Sequence, residues 1–370
     1  MSIEENIYAI ALTQVPGIGH VWARNLINAV GSATKVFESG KHLRELMPGI
    51  TPRIIEALNC SQAIDRAKQE YEFIEKNKIT CLPITCDNYP ERLCECSDAP
   101  IVLFFKGNTN LNASKIVSIV GTRNISEYGK QMCSELIAGL QKQCPDALIV
   151  SGLAYGVDIC IHRASIENNL ATVAVLAHGL DRIYPSSHRK TAVDMLSNGG
   201  LLTEYITQTN PDRFNFVGRN RIVAGISDAT IVVESAAKGG SLITADIAGS
   251  YNRDCFAFPG RATDDSSRGC NQLIRDNKAG LIQSPDDFIK MMGWGKTKAQ
   301  KPAPVQRSFF PDLSDDEQLV VNVLEKEGKV QINSLVVTTN IPVYKMNSLL
   351  FELEMKGVIR VLAGGVYQLV

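Results

Sequence analysis

No stretch of the 370 residues approaches the roughly 20 consecutive apolar positions that span a bilayer. The opening residues, MSIEENIYAIALTQVPG, put two acids ahead of a short apolar run and no basic cluster before it, so no secretory signal is expected. Neither sign of charge is in excess: 38 Lys and Arg stand against 39 Asp and Glu, and a net charge of −1 offers a polyanion no global field. Affinity for nucleic acid must then come from local clustering. Signatures of covalent chemistry are missing too. There is no G-x-x-x-x-G-K-[ST] loop for a P-loop ATPase, no G-x-G-x-x-G after the first strand of the core for a dinucleotide, and no G-x-S-x-G elbow for a serine hydrolase. His162, His178 and His188 lack metal-ligand spacing, and no cofactor is expected.

The ten cysteines show no disulfide framework, which points to a reducing cytoplasm. Cys81, Cys86, Cys94 and Cys96 fall close together, but their C-x4-C and C-x-C spacings are not the paired C-x2-C knuckles of a zinc site. They read as reduced, partly buried thiols.

What is present is globular: 45% hydrophobic and 21% charged residues, in a chain long enough for two or three domains. Residues 1–75 read as short helices. Val15-Pro16-Gly17-Ile18-Gly19 separates two runs of helical spacing, with a weaker copy at Leu46-Met47-Pro48-Gly49-Ile50. The arrangement resembles a helix-hairpin-helix motif, whose glycines let backbone amides approach a phosphate. No basic cluster adjoins it, and packing alone also explains the pattern.

Residues 76–293 form the main core, led by an extension over 76–114. Continuous apolar runs at Ile116–Val120, Ala147–Val150, Ala171–Ala177, Ala229–Val233 and Cys255–Phe258 alternate with amphipathic segments. Strands buried on both faces read this way, so the expected fold is a Rossmann-like, doubly wound parallel α/β sheet. In such sheets ligands sit at the carboxyl ends of the strands. Three small-residue turns fall there: Gly121-Thr122-Arg123, Ser151-Gly152-Leu153-Ala154-Tyr155-Gly156, and Lys238-Gly239-Gly240-Ser241. Two of them carry a cation, and exposed amides at a helix start suit phosphate oxygens. Asp158 and Glu234 have the look of an acid–base pair, but helix capping and loop bonding is the favoured reading.

The densest cationic segment runs from Arg213 to Ile222. It carries Arg213, Arg219 and Arg221, with Phe214, Phe216, Asn215 and Asn220, in a stretch (114–290) that holds 18 basic and 18 acidic residues. Phosphate donors beside flat rings are what single-stranded nucleic acid requires.

Ile119-Val120-Gly121-Thr122-Arg123, Ser151 through Asp158, Gly179-Leu180-Asp181 with Tyr184-Pro185, Arg219-Asn220-Arg221-Ile222-Val223-Ala224-Gly225, Gly240 through Ala245, Phe258-Pro259-Gly260 and Gly269-Cys270-Asn271-Gln272-Leu273-Ile274 occur in one order. As a set they resemble the DNA-processing protein A (DprA/Smf) family. The resemblance implies a non-enzymatic single-stranded DNA binder that loads a RecA-type recombinase, serves natural transformation and pairs as a homodimer through its Rossmann-like domain. It also implies phosphate-binding roles for Arg123, Ser151, Gly152, Arg219, Arg221, Lys238, Gly239, Gly240 and Ser241. Gly121, Phe216, Asn220 and Asn271 complete the expected site. Two positions depart from the family pattern: Gly239 replaces a small polar residue, and His188 stands where asparagine often follows Tyr-Pro.

Residues 294–311, with Pro302, Pro304 and Pro311, read as a linker. Residues 312–370 then read as helices, including Glu317–Lys326 and Val343–Lys356, followed by a hairpin around Gly364-Gly365, which looks like a winged helix. Its candidate recognition helix sets Lys345 and Lys356 against Glu352 and Glu354, a balance that favours protein contact over groove reading. A rival to the DNA-binding reading is a nucleoside-monophosphate phosphoribohydrolase on a related fold, because Gly240-Ser241-Leu242-Ile243-Thr244 follows a strand-end glutamate. The later glutamate of that chemistry is missing, with Asp246 and Ile247 in its place.

Overall fold

The computed structural model describes residues 2–47, 49–295, 313–362 and 364–370. The chain divides into two compact units, Met1–Gly295 and Lys296–Val370. Among the described residues no helix is long and apolar enough to cross a membrane.

The first unit opens with α1 (Ile3–Gln14), whose first turn is capped by the Ser2 hydroxyl accepting from the Glu5 amide at 3.1 Å. The Gly-Ile-Gly turn leads into α2 (His20–Val30), and Gly17, at φ +83°, takes the left-handed conformation the reversal needs. Helix α3 (Ser61–Lys76) packs along α1. The boundary expected after 75 falls inside α3, and there is no gap there. Ile74 and Ile79 share one core with α1, α2, Ile101 and the strand residues Val102 and Phe104. Buried Glu70 of α3 accepts from the Thr207 amide at 3.0 Å, and Arg66 donates to the Thr207 carbonyl at 2.7 Å. These bonds fix the helical segment to the core.

The sheet comprises β1 (Thr80–Pro83), β2 (Val102–Gly107), β3 (Ile116–Val120), β4 (Leu148–Ser151), β5 (Thr172–Val175), β6 (Gly199–Thr203), β7 (Ala229–Val232), β8 (Asp254–Ala257) and β9 (Gly280–Leu281). Their order is β1-β2-β6-β5-β4-β3-β7-β8-β9. From β6 to β9 all pairs are parallel, whereas β1–β2 and β2–β6 are antiparallel. The sheet is therefore doubly wound and mixed, with an antiparallel hairpin from the 76–114 extension closing one side. β3 to β8 are buried on both faces, apart from the first residue of β8, which accounts for the unbroken apolar runs at β3, β4, β5, β7 and β8. The parallel part starts at β3, builds outward to β6, then crosses back to β7. The winding reverses between β3 and β7, and that switch point opens a crevice at their carboxyl ends.

Around the sheet lie α4 (Glu127–Gln143), α5 (Val157–Glu167), α6 (Arg213–Gly225), α7 (Gly240–Ser250) and α8 (Arg268–Arg275). Trp294, the first residue of the expected linker, belongs to this unit: its ring meets Phe288 edge-on at 5.3 Å. From 296 to 311 the linker, with Pro302, Pro304 and Pro311, lies outside the described residues.

The second unit contains α9 (Asp315–Glu327), β10 (Lys329–Gln331), α10 (Ile332–Thr339), α11 (Val343–Met355), β11 (Ile359–Leu362) and β12 (Val366–Leu369). Its three strands run in the order β10-β12-β11, the small sheet of a winged helix. A Ser314–Glu317 capping box starts α9.

Candidate nucleic-acid interface

The loop after β3 and the loop after β4 are locked together at the switch point. The Thr122 amide donates to the Glu234 carbonyl at 2.7 Å, and the Val157 amide donates to the Thr122 carbonyl at 3.1 Å. Gly156, at φ +74°, has no room for a side chain, since a Cβ would stand 2.1 Å from that same carbonyl. Gly121 is equally confined, with Val157 Cγ2 at 2.4 Å from a would-be Cβ. These glycines serve close packing at the strand ends.

Above the crevice Arg123 is exposed, and its guanidinium lies over the Phe216 ring at 5.4 Å. Phe216 in turn meets Tyr184 at 5.9 Å between centroids. Tyr155 stands over His188 edge-on at 4.9 Å and is half exposed, as is Tyr184. The sequence reading identified Phe216 but not the two tyrosines as ring partners, although both lie in its quoted motifs. Their signal was one of position only: an aromatic in a strand-end loop. Phe214, by contrast, is 86% exposed and stacks on no described ring.

Beneath the crevice Arg219 is only 4% exposed. Its guanidinium lies against Gly152, and its buried Nε has no hydrogen-bond partner among the described residues. Burial, partly offset by the Asp158 charge, lowers its proton affinity, and the nearby Arg123 charge lowers it further. Two cations thus share one strand end. Burial in turn raises the Asp158 carboxyl above its usual range, against the pull of Arg219 and of the Gly152 and Ala154 amides, which donate to it at 3.1 and 3.3 Å. Glu234 accepts from the Ser126 amide at 2.9 Å. Both acids are loop-bonding groups, as the sequence reading favoured. His162 behind them is fully buried, and among the described residues it hydrogen-bonds only to Thr172, 2.8 Å away. Burial, helped by the Arg219 and His188 charges, depresses it to about 3.

On the far side of the switch, Lys238 is exposed and forms no ion pair with the described residues. It precedes the Gly239 cap of α7, where the first-turn amides have no intrahelical acceptor. Nothing lies within 4 Å of a would-be Cβ at Gly240, so the approach is open. Gly239 is there for room, since a Cβ would stand 2.2 Å from Ser235 Oγ.

Five expected contact residues are turned to structural work. The Ser151 hydroxyl is buried and donates to the Ile119 carbonyl at 2.7 Å, and the Gly152 amide is taken by Asp158. Arg221 donates to the Asp98 carbonyl at 2.6 Å and pairs with Glu204, because α6 turns it a half-turn away from the crevice toward the helical segment. Asn271 makes a two-way amide bond with the Gly260 backbone at 3.0 and 3.1 Å. The Ser241 hydroxyl donates to Ser235 at 2.9 Å. On α6's middle turn Asn220, like Arg219, makes no side-chain hydrogen bond with the described residues. His188, the departure from the family pattern, is buried and bonds the Leu153 carbonyl at 2.8 Å, so it braces the loop after β4. Elsewhere, burial pushes the Cys81 and Cys96 thiols up to about 12, and among the described residues no three potential ligands converge on a metal position.

The doubly wound sheet, with Arg123, Lys238 and half-exposed rings gathered at its strand ends, defines a Rossmann-like protein. Comparison with known proteins narrows the class. Residues 80–293 match the model of the DNA recombination-mediator protein A family, and residues 301–365 match the DprA winged helix domain. The chain belongs to the DNA recombination-mediator protein A family. It is 39% identical over 260 residues to the DNA processing protein DprA of Streptococcus pneumoniae, covering 69% of this chain and 90% of that one. It is 31% identical to Protein Smf of Escherichia coli, covering 80% and 79%. The crystal structure of the Streptococcus pneumoniae protein superposes with a TM-score of 0.61 at 32% identity, over 78% of this chain and 98% of that one. DNA processing protein A of Helicobacter pylori, whose structure is described for its single-stranded DNA binding mode, superposes with a TM-score of 0.53 at 31% identity, over 59% and 96%.

Proposed function

We propose that this protein binds single-stranded DNA across the β3/β7 switch point and delivers it to a RecA-type recombinase in the cytoplasm, without covalent chemistry of its own. The observation that carries the reading is the pair Arg123 and Arg219: two guanidiniums at one strand end, neither ion-paired with a described carboxylate, beside the Phe216–Tyr184 rings. An unneutralised cation pair calls for phosphate, and half-exposed rings call for unpaired bases. The Helicobacter pylori relative, described as a single-stranded DNA binder, supports the same use of the fold here. Transformation and recombination are the routes this reading serves.

Homodimerisation through the core accompanies it. β9 is a two-residue edge strand, and Leu281 on it and Met291 nearby in sequence are exposed, which suits an isologous contact. The phosphoribohydrolase alternative finds no acid at its turn: Asp246 pairs at the surface with Lys278, 2.8 Å away.

The test is a titration of labelled oligonucleotides, single- and double-stranded, at several salt concentrations. Single strands bind more tightly than duplex of equal length, and equal affinity at matched salt overturns the reading. Incubation with nucleoside monophosphates releases no free base. Deleting 300–370 leaves single-strand affinity within about tenfold, ~1.4 kcal/mol.

A further inference from the structure

The face of α11 that a winged helix would present to DNA is apolar. Tyr344, Phe351 and Met355 are 78%, 65% and 74% exposed, and with exposed Ser348 they follow the i, i+4, i+7, i+11 spacing of one helical stripe. The opposite face buries Met346, Leu349, Leu350 and Leu353 in the unit's own core, so the stripe takes no part in holding the fold. Its chemistry is wrong for phosphate. The described part of this unit, without Ala363, carries five Lys and Arg against seven Asp and Glu, and Glu352 and Glu354 flank the stripe itself.

The charges beside the stripe are arranged for one occupant. Lys345 and Glu352 lie seven residues apart, on the same edge of the apolar row. When two antiparallel helices meet face to face, like edges adjoin, and a two-fold axis near Ser348 sets Lys345 of each against Glu352 of the other. A parallel pairing would instead join opposite edges and bring Glu352 of each chain beside Glu354 of the other. Lys345 already touches Asp316 of α9, yet its side chain stays 48% exposed, so the ammonium keeps donors free for a second carboxylate. On the other edge Asn347 approaches its own copy, and no like charges meet there.

We propose that the α11 stripe is a self-association surface: the winged-helix units of two chains pair antiparallel through Tyr344, Ser348, Phe351 and Met355, closed by two reciprocal Lys345–Glu352 ion pairs. This contact is separate from any pairing of the sheet cores, so it would join chains or core dimers into larger assemblies.

Sedimentation velocity of the full chain across the micromolar range tests it. The wild-type mass rises with concentration, and Phe351→Glu weakens that rise roughly tenfold or more, leaving whatever state the core sets. Glu352→Lys alone and Lys345→Glu alone each lose the association, since each sets like charges against one another. An equimolar mixture of the two variants regains it, because the heterotypic pair restores both ion pairs. A merely structural effect of the substitutions would not recover on mixing. The proposal is overturned if the wild-type mass does not rise, if Phe351→Glu rises as wild type does, or if the mixture stays dissociated while circular dichroism shows both variants folded. Loss of duplex-DNA binding in Phe351→Glu, with self-association unchanged, would also overturn it and make the stripe a DNA surface.

Discussion

The guanidinium of Arg219 occupies the space where a side chain at Gly152 would go: a Cβ there would stand 1.5 Å from Arg219 Nη1. The glycine is thus a positioning residue for the buried cation, although its own amide is spent on Asp158. Gly152→Ala must push Arg219 aside, and single-strand affinity is expected to fall about tenfold, ~1.4 kcal/mol. In an Arg219→Ala background the space is vacant, and the same Gly152→Ala change then costs little. Residues in contact couple in this way, and independent ones do not. Additive losses in the four-member cycle, measured by anisotropy with labelled oligonucleotides, would show that Gly152 acts without Arg219.

The rings separate by what holds them. Phe216 is fixed between the Arg123 guanidinium and Tyr184, whereas Phe214 has no described ring or cation against it. A held ring loses little entropy when a base stacks on it. Phe216→Ala is expected to weaken single-strand binding by about 1–3 kcal/mol, and Tyr184→Ala to act in the same direction. Phe214→Ala should change it by less than about 0.5 kcal/mol. The reverse ranking would move the stacking platform to the first turn of α6.

Stability should fall in mild acid, and His162 is a main cause. Folded, it titrates at about 3, against 6.5 for the free group. Above pH 6.5 neither state holds the proton. As pH drops from 6.5 toward 3, the unfolded chain takes up a proton that the folded chain refuses, and stability is lost at up to ~1.4 kcal/mol per unit. His178, lowered chiefly by burial, acts in the same sense, whereas Asp158 and Glu204, raised chiefly by burial, act in the opposite one. The His162 share is therefore read as a difference: between pH 7 and pH 5, urea unfolding of the first unit should lose ~2 kcal/mol more in wild type than in His162→Gln. Equal losses in both proteins would place the acid sensitivity elsewhere.

The sheet was legible because β3, β4, β5, β7 and β8 are buried on both faces and leave unbroken apolar runs. β6 escaped notice because it begins Gly199-Gly200: a Cβ at Gly199 would meet the Thr172 carbonyl at 1.9 Å, and two glycines hide an apolar strand. β1 and β2 went unread because a short hairpin on the sheet's side has no crossover helix to announce it. The strand-end location of the site was also legible, since glycine turns and cations recur there. What the chain could not show was direction. Arg219 and Arg221 lie two apart on α6, so a helical turn aims one beneath the crevice and the other at Asp98 and Glu204. Likewise Ser151 belongs to a motif yet spends its hydroxyl on Ile119, a use fixed only by the neighbouring strand.

The exposed cations give the last prediction. Arg123 and Lys238 flank the switch point from loops after β3 and β7, and neither is ion-paired with a described carboxylate. Each is therefore free to neutralise one phosphate. Every such contact releases counterions, so the slope of log affinity against log salt should fall by roughly 0.7 per lost contact on single strands. Arg123→Ala and Lys238→Ala should each show that reduced slope, and should weaken binding alike for every sequence tried, because phosphate contacts carry no base information. Arg221→Ala should behave differently. Its charge is already answered by Glu204, so the slope should stay near wild type while thermal stability drops, since Glu204 is left buried with His20 but without its guanidinium partner. Phe216→Ala likewise keeps the wild-type slope, because stacking releases no ions. If folded Arg123→Ala and Lys238→Ala keep both wild-type affinity and wild-type slope, DNA does not cross the switch point. The N-terminal Gly17-Ile18-Gly19 turn would then be the surface to examine for phosphate contact.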